Sequence, residues 1–113
     1  MEDCVFCKIV KRESPANIVF ENDQILAFES IAPVSEIHVL IIPKAHVSTF
    51  LDMQDTETIK HMTAAAQEIV WQKKIESGYK LVINGGRYQA VKHLHWHLLG
   101  GKLEDEHDVL NNT

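Results

Sequence analysis

The stretch that decides the fold is His93-Leu94-His95-Trp96-His97-Leu98-Leu99, near the end of a chain of 113 residues. In an extended strand, successive side chains point to opposite faces of the sheet. His93, His95 and His97 are therefore predicted to share one face, each about 6.6 Å from the next along the strand. The apolar residues between them face a core, so the stretch predicts a buried strand that presents a row of imidazoles.

Three imidazoles in a row are costly as mere structure, because neutral rings need hydrogen-bond partners and charged rings repel one another. Two chemistries use such a cluster, metal ligation and nucleophilic or acid–base catalysis, and the residues alone leave both open. Neighbouring imidazoles can share one phosphate group, with one ring attacking phosphorus and the next donating to an oxygen. Three further histidines lack partners at diagnostic spacing and are interpreted as structural or solvated: His38, His61 and His107.

The segments outside the histidine strand predict an α+β domain. Apolar residues at helical spacing indicate a long helix from Asp55 to about Glu76, and a short helix is predicted over Val5 to Lys11. The predicted strands are 18–21, 25–29, 38–42, 79–84 and the histidine strand 91–99, which Gly100-Gly101 is expected to end. Short turns between consecutive strands favour an antiparallel sheet with the long helix on one face.

Composition and charge narrow the classes of function. The chain is 45% hydrophobic, which suits one domain over residues 1–113, with a core of about 3–101 and an acidic, polar tail at 102–113. The formal net charge of −5 removes the usual electrostatic reason to propose a nucleic-acid partner. The N-terminus has no signal-peptide pattern and no apolar run is long enough for a membrane span, so a cytoplasmic protein without a membrane partner is expected.

The pair Cys4-x-x-Cys7 needs its own explanation, because a structural disulfide is not expected in the cytoplasm. Two interpretations stay open: a pair of reduced, partly buried thiols at the start of a helix, or half of a zinc site. Zinc takes four nitrogen or sulfur ligands, and His46 and His93 are the candidates to complete a closed, structural Cys₂His₂ set. Without a metal, His46 is expected to hydrogen-bond to His93 instead.

The stretch from His93 to Leu99 resembles the signature of the histidine-triad (HIT) superfamily, which alternates three histidines with apolar residues. The trailing Gly100-Gly101 resembles its Hint branch, the purine-nucleoside phosphoramidases. The resemblance covers about residues 3–101 and includes Phe6-Cys7-Lys8-Ile9-Val10, Glu13-Ser14-Pro15-Ala16, Leu26-Ala27-Phe28 and Ile41-Ile42-Pro43-Lys44-Ala45-His46. It implies a homodimer with two nucleotide sites, in which the 79–84 strand and the long helix form much of the interface. The five-stranded sheets of the two subunits would then join into one ten-stranded sheet.

The resemblance also implies roles for single residues. His95 is the implied nucleophile, and His97 binds the α-phosphate and assists the leaving group. The implied substrate contacts are Phe6, Ile9, Phe28 and Ile31 around a purine base, Ser30 near the ribose, and Asn84, Gln89 and Val91 near the ribose or phosphate. Positions like Cys4, Cys7, His46 and His93 hold structural zinc in some relatives, and no organic cofactor is implied.

Three departures from the Hint pattern predict a shift in rate or substrate. Ser30 stands where an Asp commonly holds the ribose hydroxyls, Ala90 stands where a Ser or Thr is usual, and the loop from Gly85 to Tyr88 is short. The implied activity is hydrolysis of nucleoside 5′-phosphoramidates or related nucleotide conjugates at the α-phosphorus, through a nucleotidyl-histidine intermediate. The alternatives are a dinucleoside polyphosphate hydrolase or nucleotidyl transferase, and a weakly catalytic nucleotide-binding interaction protein.

Overall fold

The computed structural model describes residues 3–103 and confirms the predicted α+β architecture. In chain order the elements are α1 (Val5–Val10), β1 (Ile18–Glu21), β2 (Ile25–Glu29), β3 (Ser35–Pro43), α2 (Thr56–Lys73), β4 (Tyr79–Ile83) and β5 (Trp96–Leu103). Two single-turn 3₁₀ helices, Phe50–Asp52 and Gly86–Tyr88, lie in the connections and were not predicted. The five strands form one antiparallel sheet in the order β1-β2-β3-β5-β4.

The central strand β3 is buried on both faces, because the two helices cover opposite sides of the sheet. Every residue from His38 to Pro43 is buried, which explains the continuous apolar run in the sequence. The cluster on the α2 side includes Val39, Ile41, Met62, Ala65, Ile69, Leu94, Trp96 and Leu98. The cluster on the α1 side consists of Phe6, Ile9, Leu26, Phe28, Leu40 and Ile42.

Helix α2 starts as predicted and ends earlier than predicted. The Asp55 carboxylate caps the first turn by accepting from the Thr58 backbone N–H at 2.8 Å. The helix ends at Lys73 because Lys74 adopts a left-handed conformation with φ 60°, three residues or so before the predicted end at Glu76. Within residues 3–103, no helix has both the length and the hydropathy needed to cross a membrane.

Strand β5 begins later than the predicted histidine strand. It starts at Trp96, so His93 and His95 lie in the segment that immediately precedes the ladder, with a bend at residues 91–93. In that segment the Leu94 N–H donates to the carbonyl oxygen of Val47 at 2.6 Å. This backbone hydrogen bond goes to a residue outside the neighbouring strands, so Leu94 is not part of the ladder. The predicted alternation of faces nevertheless holds, because Leu94 and Trp96 pack in the cluster beneath α2.

Strand β5 also continues through Gly100-Gly101 to Leu103, so the prediction that the glycines end the strand was wrong. A Cβ on Gly100 would lie 2.6 Å from Cδ1 of Ile75, which packs directly on the strand. Gly101 has φ 69°, and a Cβ there would overlap with the Glu36 side chain. The glycine pair therefore makes room for close neighbours inside a continuing strand.

Candidate active site

The geometry of His95 leaves one of its ring nitrogens free to act as a nucleophile. The side chain is 6% exposed, and its Nδ1–H donates to the carbonyl oxygen of His93 at 2.8 Å. A hydrogen on Nδ1 leaves a lone pair on Nε2 of the neutral ring. Burial lowers the pKa of His95 from its ordinary value of 6.5, against the opposing effect of that hydrogen bond. The ring is therefore neutral near pH 7, with Nε2 available.

His38, which the sequence did not connect with the site, is the direct partner of His97. Strands β3 and β5 are neighbours in the sheet, and Nε2 of His38 lies 2.9 Å from Nδ1 of His97. On its other side, Nδ1 of His38 accepts from the Val34 backbone N–H at 3.1 Å. The sequence signal was a histidine inside the longest apolar run, where a buried imidazole needs a hydrogen-bond partner.

This chain of hydrogen bonds fixes the tautomer of His97. A backbone N–H can only donate, so Nδ1 of His38 is an acceptor and its Nε2 carries the hydrogen. That hydrogen is donated to Nδ1 of His97, which leaves the hydrogen of His97 on Nε2. We call Val34, His38 and His97 together the histidine relay.

The electrostatics of the two relay rings agree with this assignment. Burial, followed by the proximity of His95 and His38, lowers the pKa of His97 to about 4. Burial and then His95 also lower the pKa of His38. Both rings are therefore neutral near pH 7 and share one hydrogen between them. The rings of His95 and His97 lie 4.9 Å apart between centroids, so the site offers a lone pair and an N–H donor side by side.

Of the predicted polar contacts to substrate, Asn84 lies beside the relay, whereas Gln89 is occupied by hydrogen bonds to the backbone. Nδ2 of Asn84 lies 3.4 Å from Nε2 of His97, so its carboxamide stands beside the relay. The Nε2–H of His97 can donate to Asn84 when the amide is turned so that its oxygen takes the place of Nδ2. Gln89 is buried, and its Nε2 donates to the carbonyl oxygens of Ser48 at 2.6 Å and Val91 at 2.9 Å. Gln89 therefore braces the backbone just before the histidine row, and Val91 packs against the α1-side cluster.

Three of the four predicted base-pocket residues meet next to His95, the predicted nucleophile. Phe6, Ile9 and Phe28 belong to one buried cluster, and the Phe6 ring meets Phe28 at 5.4 Å and His95 at 5.1 Å, edge to face. Ile31 is 99% exposed in the loop after β2 and lies outside that cluster. The Ser30 hydroxyl oxygen accepts from the Ala32 backbone N–H at 3.1 Å.

The four predicted metal ligands converge at the N-terminal end of the site. Their ligand atoms, from Cys4, Cys7, His46 and His93, all lie within 4.8 Å of one another. Nδ1 of His93 is 3.3 Å from Cys4 Sγ and 3.6 Å from Cys7 Sγ, and Nδ1 of His46 is 3.3 Å from Cys7 Sγ. Tetrahedral zinc bonds imply a sulfur–nitrogen separation of about 3.6 Å, so the donor set fits this ion.

The surroundings of this cluster also fit a metal site. The Nε2–H of His93 donates to the Pro43 carbonyl at 2.8 Å, and Nε2 of His46 lies 3.3 Å from Ser48 Oγ. Each ring therefore turns Nδ1 toward sulfur, as metal-bound histidines do when their second nitrogen is held. The two rings meet edge to face at 4.8 Å, in place of the hydrogen bond predicted for a metal-free site. Burial, and then Cys4, raise the pKa of the Cys7 thiol, so a metal ion that binds here displaces a proton.

Comparison with known protein families identifies the class of protein to which this fold and histidine site belong. The chain belongs to the HIT domain family, whose pattern matches residues 11–104. It is 39% identical over 106 residues to the purine nucleoside phosphoramidase of Escherichia coli K12, with 89% of each chain covered.

Solved structures of the same family superpose closely on this chain. A HIT family hydrolase from Clostridium thermocellum has a TM-score of 0.86 at 40% identity, covering 89% of this chain and 92% of the other. A Zn-bound histidine triad family protein from Mycobacterium smegmatis has a TM-score of 0.81 at 32% identity, covering 93% and 79%.

Proposed function

We propose that this protein hydrolyses nucleoside 5′-phosphoramidates, or related nucleotide conjugates, at the α-phosphorus through a nucleotidyl-His95 intermediate. The observation that carries the proposal is the hydrogen bond of 2.8 Å from His95 Nδ1–H to the His93 carbonyl, which presents Nε2 as a lone pair. The identity to a purine nucleoside phosphoramidase supports the choice of substrate class.

The proposed reaction has two displacement steps. His95 Nε2 attacks the α-phosphorus, an N–P bond forms, and the bond from phosphorus to the leaving amine breaks as the amine takes a proton from water. A second water then attacks phosphorus, releases one proton, and returns the electron pair of the N–P bond to Nε2. His97 donates its Nε2–H to the charge that develops on the phosphoryl group or leaving atom, and backbone N–H groups near Val91 add to this stabilisation.

The proposed nucleotide position follows from the surroundings of His95. The purine base lies against the apolar residues Phe6, Ile9 and Phe28, and Asn84 contacts the ribose or phosphate next to His97. Ser30 replaces a carboxylate with a hydroxyl that already accepts a hydrogen bond from the Ala32 N–H at 3.1 Å. A weaker hold on the ribose hydroxyls is expected, because one hydroxyl does not offer the paired acceptors of a carboxylate.

The test is a product assay with purine nucleotide amides, dinucleoside polyphosphates and nucleotide sugars. We expect the amides to be turned over fastest, and His95→Asn to lose at least ~10³-fold in rate while remaining folded. His61→Asn is the matched control, because His61 lies on α2 beside Glu57 at 3.8 Å. Unchanged turnover in His95→Asn would exclude the mechanism, and faster cleavage of dinucleoside polyphosphates would exclude the substrate class.

We also propose that Cys4, Cys7, His46 and His93 hold one structural zinc ion. When bound, zinc supplies four rigid bonds that tie α1 to the segment before β5, and it takes no part in the chemistry at phosphorus. Reduced thiols are required, so the proposed compartment is the cytoplasm. Protein purified without chelator is expected to carry close to one zinc per chain by elemental analysis, and a metal-free protein in zinc-containing medium would refute the site.

A homodimer through β4 and α2 is the proposed assembly. Strands β1 and β4 are the two edges of the sheet within the described residues, and on β4 the side chains of Tyr79, Leu81 and Ile83 are 56%, 43% and 39% exposed. Trp71 of α2, 66% exposed, lines the adjoining groove of about 630 Å³ together with Tyr79 and Leu81. An apolar strand edge of this kind is a template for pairing with a second copy of the chain.

Light scattering coupled to gel filtration tests the assembly. Leu81→Glu is expected to give monomers at concentrations where the unmodified chain is a dimer, because the charge would be buried unpaired. Leu51→Glu is the control, since Leu51 is 88% exposed in the 3₁₀ turn that follows β3. A monomeric unmodified chain, or a Leu81→Glu dimer, would contradict the interface.

A further inference from the structure

The two cysteines are connected to the nucleophile by two short paths. Both Sγ atoms contact Nδ1 of His93, at 3.3 and 3.6 Å, and the carbonyl of the same His93 holds His95 Nδ1–H at 2.8 Å. Phe6 lies between the two cysteines on α1, and its ring packs on both His93 at 5.9 Å and His95 at 5.1 Å. The thiol pair and the nucleophile therefore share His93 and Phe6.

We infer that Cys4 and Cys7 form a redox-modification site, whose oxidation to a disulfide by a peroxide loosens the hold on His95 and slows the enzyme. The inference rests on the proposed function only for its effect on turnover.

The chemistry of the step is balanced with peroxide as the oxidant. The Cys4 sulfur, which borders the cavity, attacks a peroxide oxygen as its thiolate and becomes a sulfenic acid. The Cys7 thiolate then displaces hydroxide from that sulfur to form the S–S bond. Two electrons pass from the sulfurs to the peroxide, which leaves as two molecules of water after taking up two protons. Any metal ion held by the two thiolates is released, because the thiolate is the form of cysteine that binds a metal and a disulfide contains none.

The position of the pair makes it accessible to a small oxidant. Cys4 and Cys7 are both free thiols of intermediate exposure. Cys4 lines an open cavity of about 470 Å³ that His46 and Ala90 also border. The spacing of two intervening residues is that of thiol pairs that cycle between dithiol and disulfide. A peroxide molecule can therefore reach Cys4 Sγ without unfolding of the domain, and Cys7 Sγ lies within 4.8 Å of it.

The consequence for His95 follows from what the sulfurs contact. Once the sulfurs are joined to each other, neither holds Nδ1 of His93, and the His93 ring keeps the 2.8 Å hydrogen bond from its Nε2–H to the Pro43 carbonyl oxygen. The His93 ring, and with it the His93 backbone, then loses the restraint that the two sulfurs gave it, while Phe6 stays packed in the α1-side cluster. The fixed Nδ1–H tautomer of His95 depends on that backbone carbonyl, so its population falls.

The experiment oxidises the purified full-length protein with hydrogen peroxide and, in parallel, with diamide, which spares methionines. Four properties are followed: free thiols with intact mass, zinc released to a chromogenic chelator, the ¹⁵N ring signals of His95, and turnover of a nucleotide amide. Cys4→Ser, which cannot form the disulfide, is the matched control. Unmodified protein treated with chelator alone separates loss of metal from disulfide formation, even if the variant folds poorly.

We expect both oxidants to remove both thiols of each chain, to change the ring signals of His95, and to lower turnover about tenfold or more, the scale for losing a supporting contact. Dithiothreitol with zinc should restore all of these properties. A disulfide that leaves the His95 signals unchanged would overturn the coupling. Thiols that resist peroxide in the folded protein would overturn the modification site. Thiol counts and ring signals need no substrate, so an inactive chain refutes the proposed function without deciding the redox inference.

Discussion

Replacing His38 with Leu removes the hydrogen-bond donor that fixes the tautomer of His97, and the consequence can be worked out from the structure. The lost contact is the 2.9 Å hydrogen bond from His38 Nε2–H to His97 Nδ1. Without it, the hydrogen of His97 can move to Nδ1, and the ring then presents no donor at Nε2. Losing such a supporting contact typically costs 10–100-fold in activity, or about 1.4–2.7 kcal/mol of transition-state stabilisation.

The fold should tolerate this substitution. His38 is 8% exposed in a strand of apolar neighbours, where a leucine side chain is well accommodated. Val34, which loses its acceptor, is 47% exposed, so water can replace the lost hydrogen bond. The free energy of unfolding is expected to change by no more than about 1 kcal/mol, the worth of one hydrogen bond.

The assay combines kcat/KM for a nucleotide amide with the ¹⁵N chemical shifts of the His97 ring. His38→Gln is the conservative control, because its side-chain amide keeps an N–H donor in place of Nε2–H and should recover most of the activity. The reasoning would be refuted by a Leu variant that keeps kcat/KM within about twofold while His97 stays in the Nε2–H form. An equal loss in both variants would show that shape rather than the donor matters.

The remaining predictions concern stability. Gly100→Ala should lower the free energy of unfolding by about 1–3 kcal/mol, because the new Cβ would lie 2.6 Å from Cδ1 and 3.1 Å from Cβ of Ile75. In urea titrations Gly78→Ala, with open space around it, is the control, and equal shifts would contradict the packing argument. The protein should also lose stability as pH falls from about 6.5 toward 4, because the unfolded chain takes up a proton at the ordinary value of 6.5 and the folded His97 only at about 4. Thermal melts at constant ionic strength check this, and His97→Gln should flatten the slope. Chelation should lower Tm, and zinc but not magnesium should restore it.

Much of the fold can be predicted from local patterns in the sequence. The run that becomes β3 is apolar at every position from Val39 to Ile42, which is how a strand covered on both faces reads. The start of α2 is predictable because Asp55 can cap the helix with its own side chain. The histidine row is predictable from alternation, which holds even where the backbone leaves the ladder.

What the sequence could not give depends on contacts between distant segments. The role of His38 requires β3 to lie beside β5, a non-consecutive pairing across 59 residues that no local pattern encodes. The continuation of β5 through Gly100 depends on Ile75 packing there, and its late start depends on the Leu94 bond to Val47. Composition and spacing also left the Cys4–Cys7 pair open between simple thiols and a metal site. The convergence of four ligand atoms within 4.8 Å favours the metal site.

The central claim is that His95 carries the nucleotide during turnover, and rapid-quench mass spectrometry tests it most directly. The protein is mixed with an adenosine 5′-phosphoramidate, quenched without acid to preserve the labile N–P bond, and analysed as intact chain and as peptides. A transient adduct of one nucleotidyl group is expected, located on His95 and absent in His95→Asn. Turnover without any adduct under conditions where a synthetic phosphohistidine standard survives, or an adduct on His97, would contradict it.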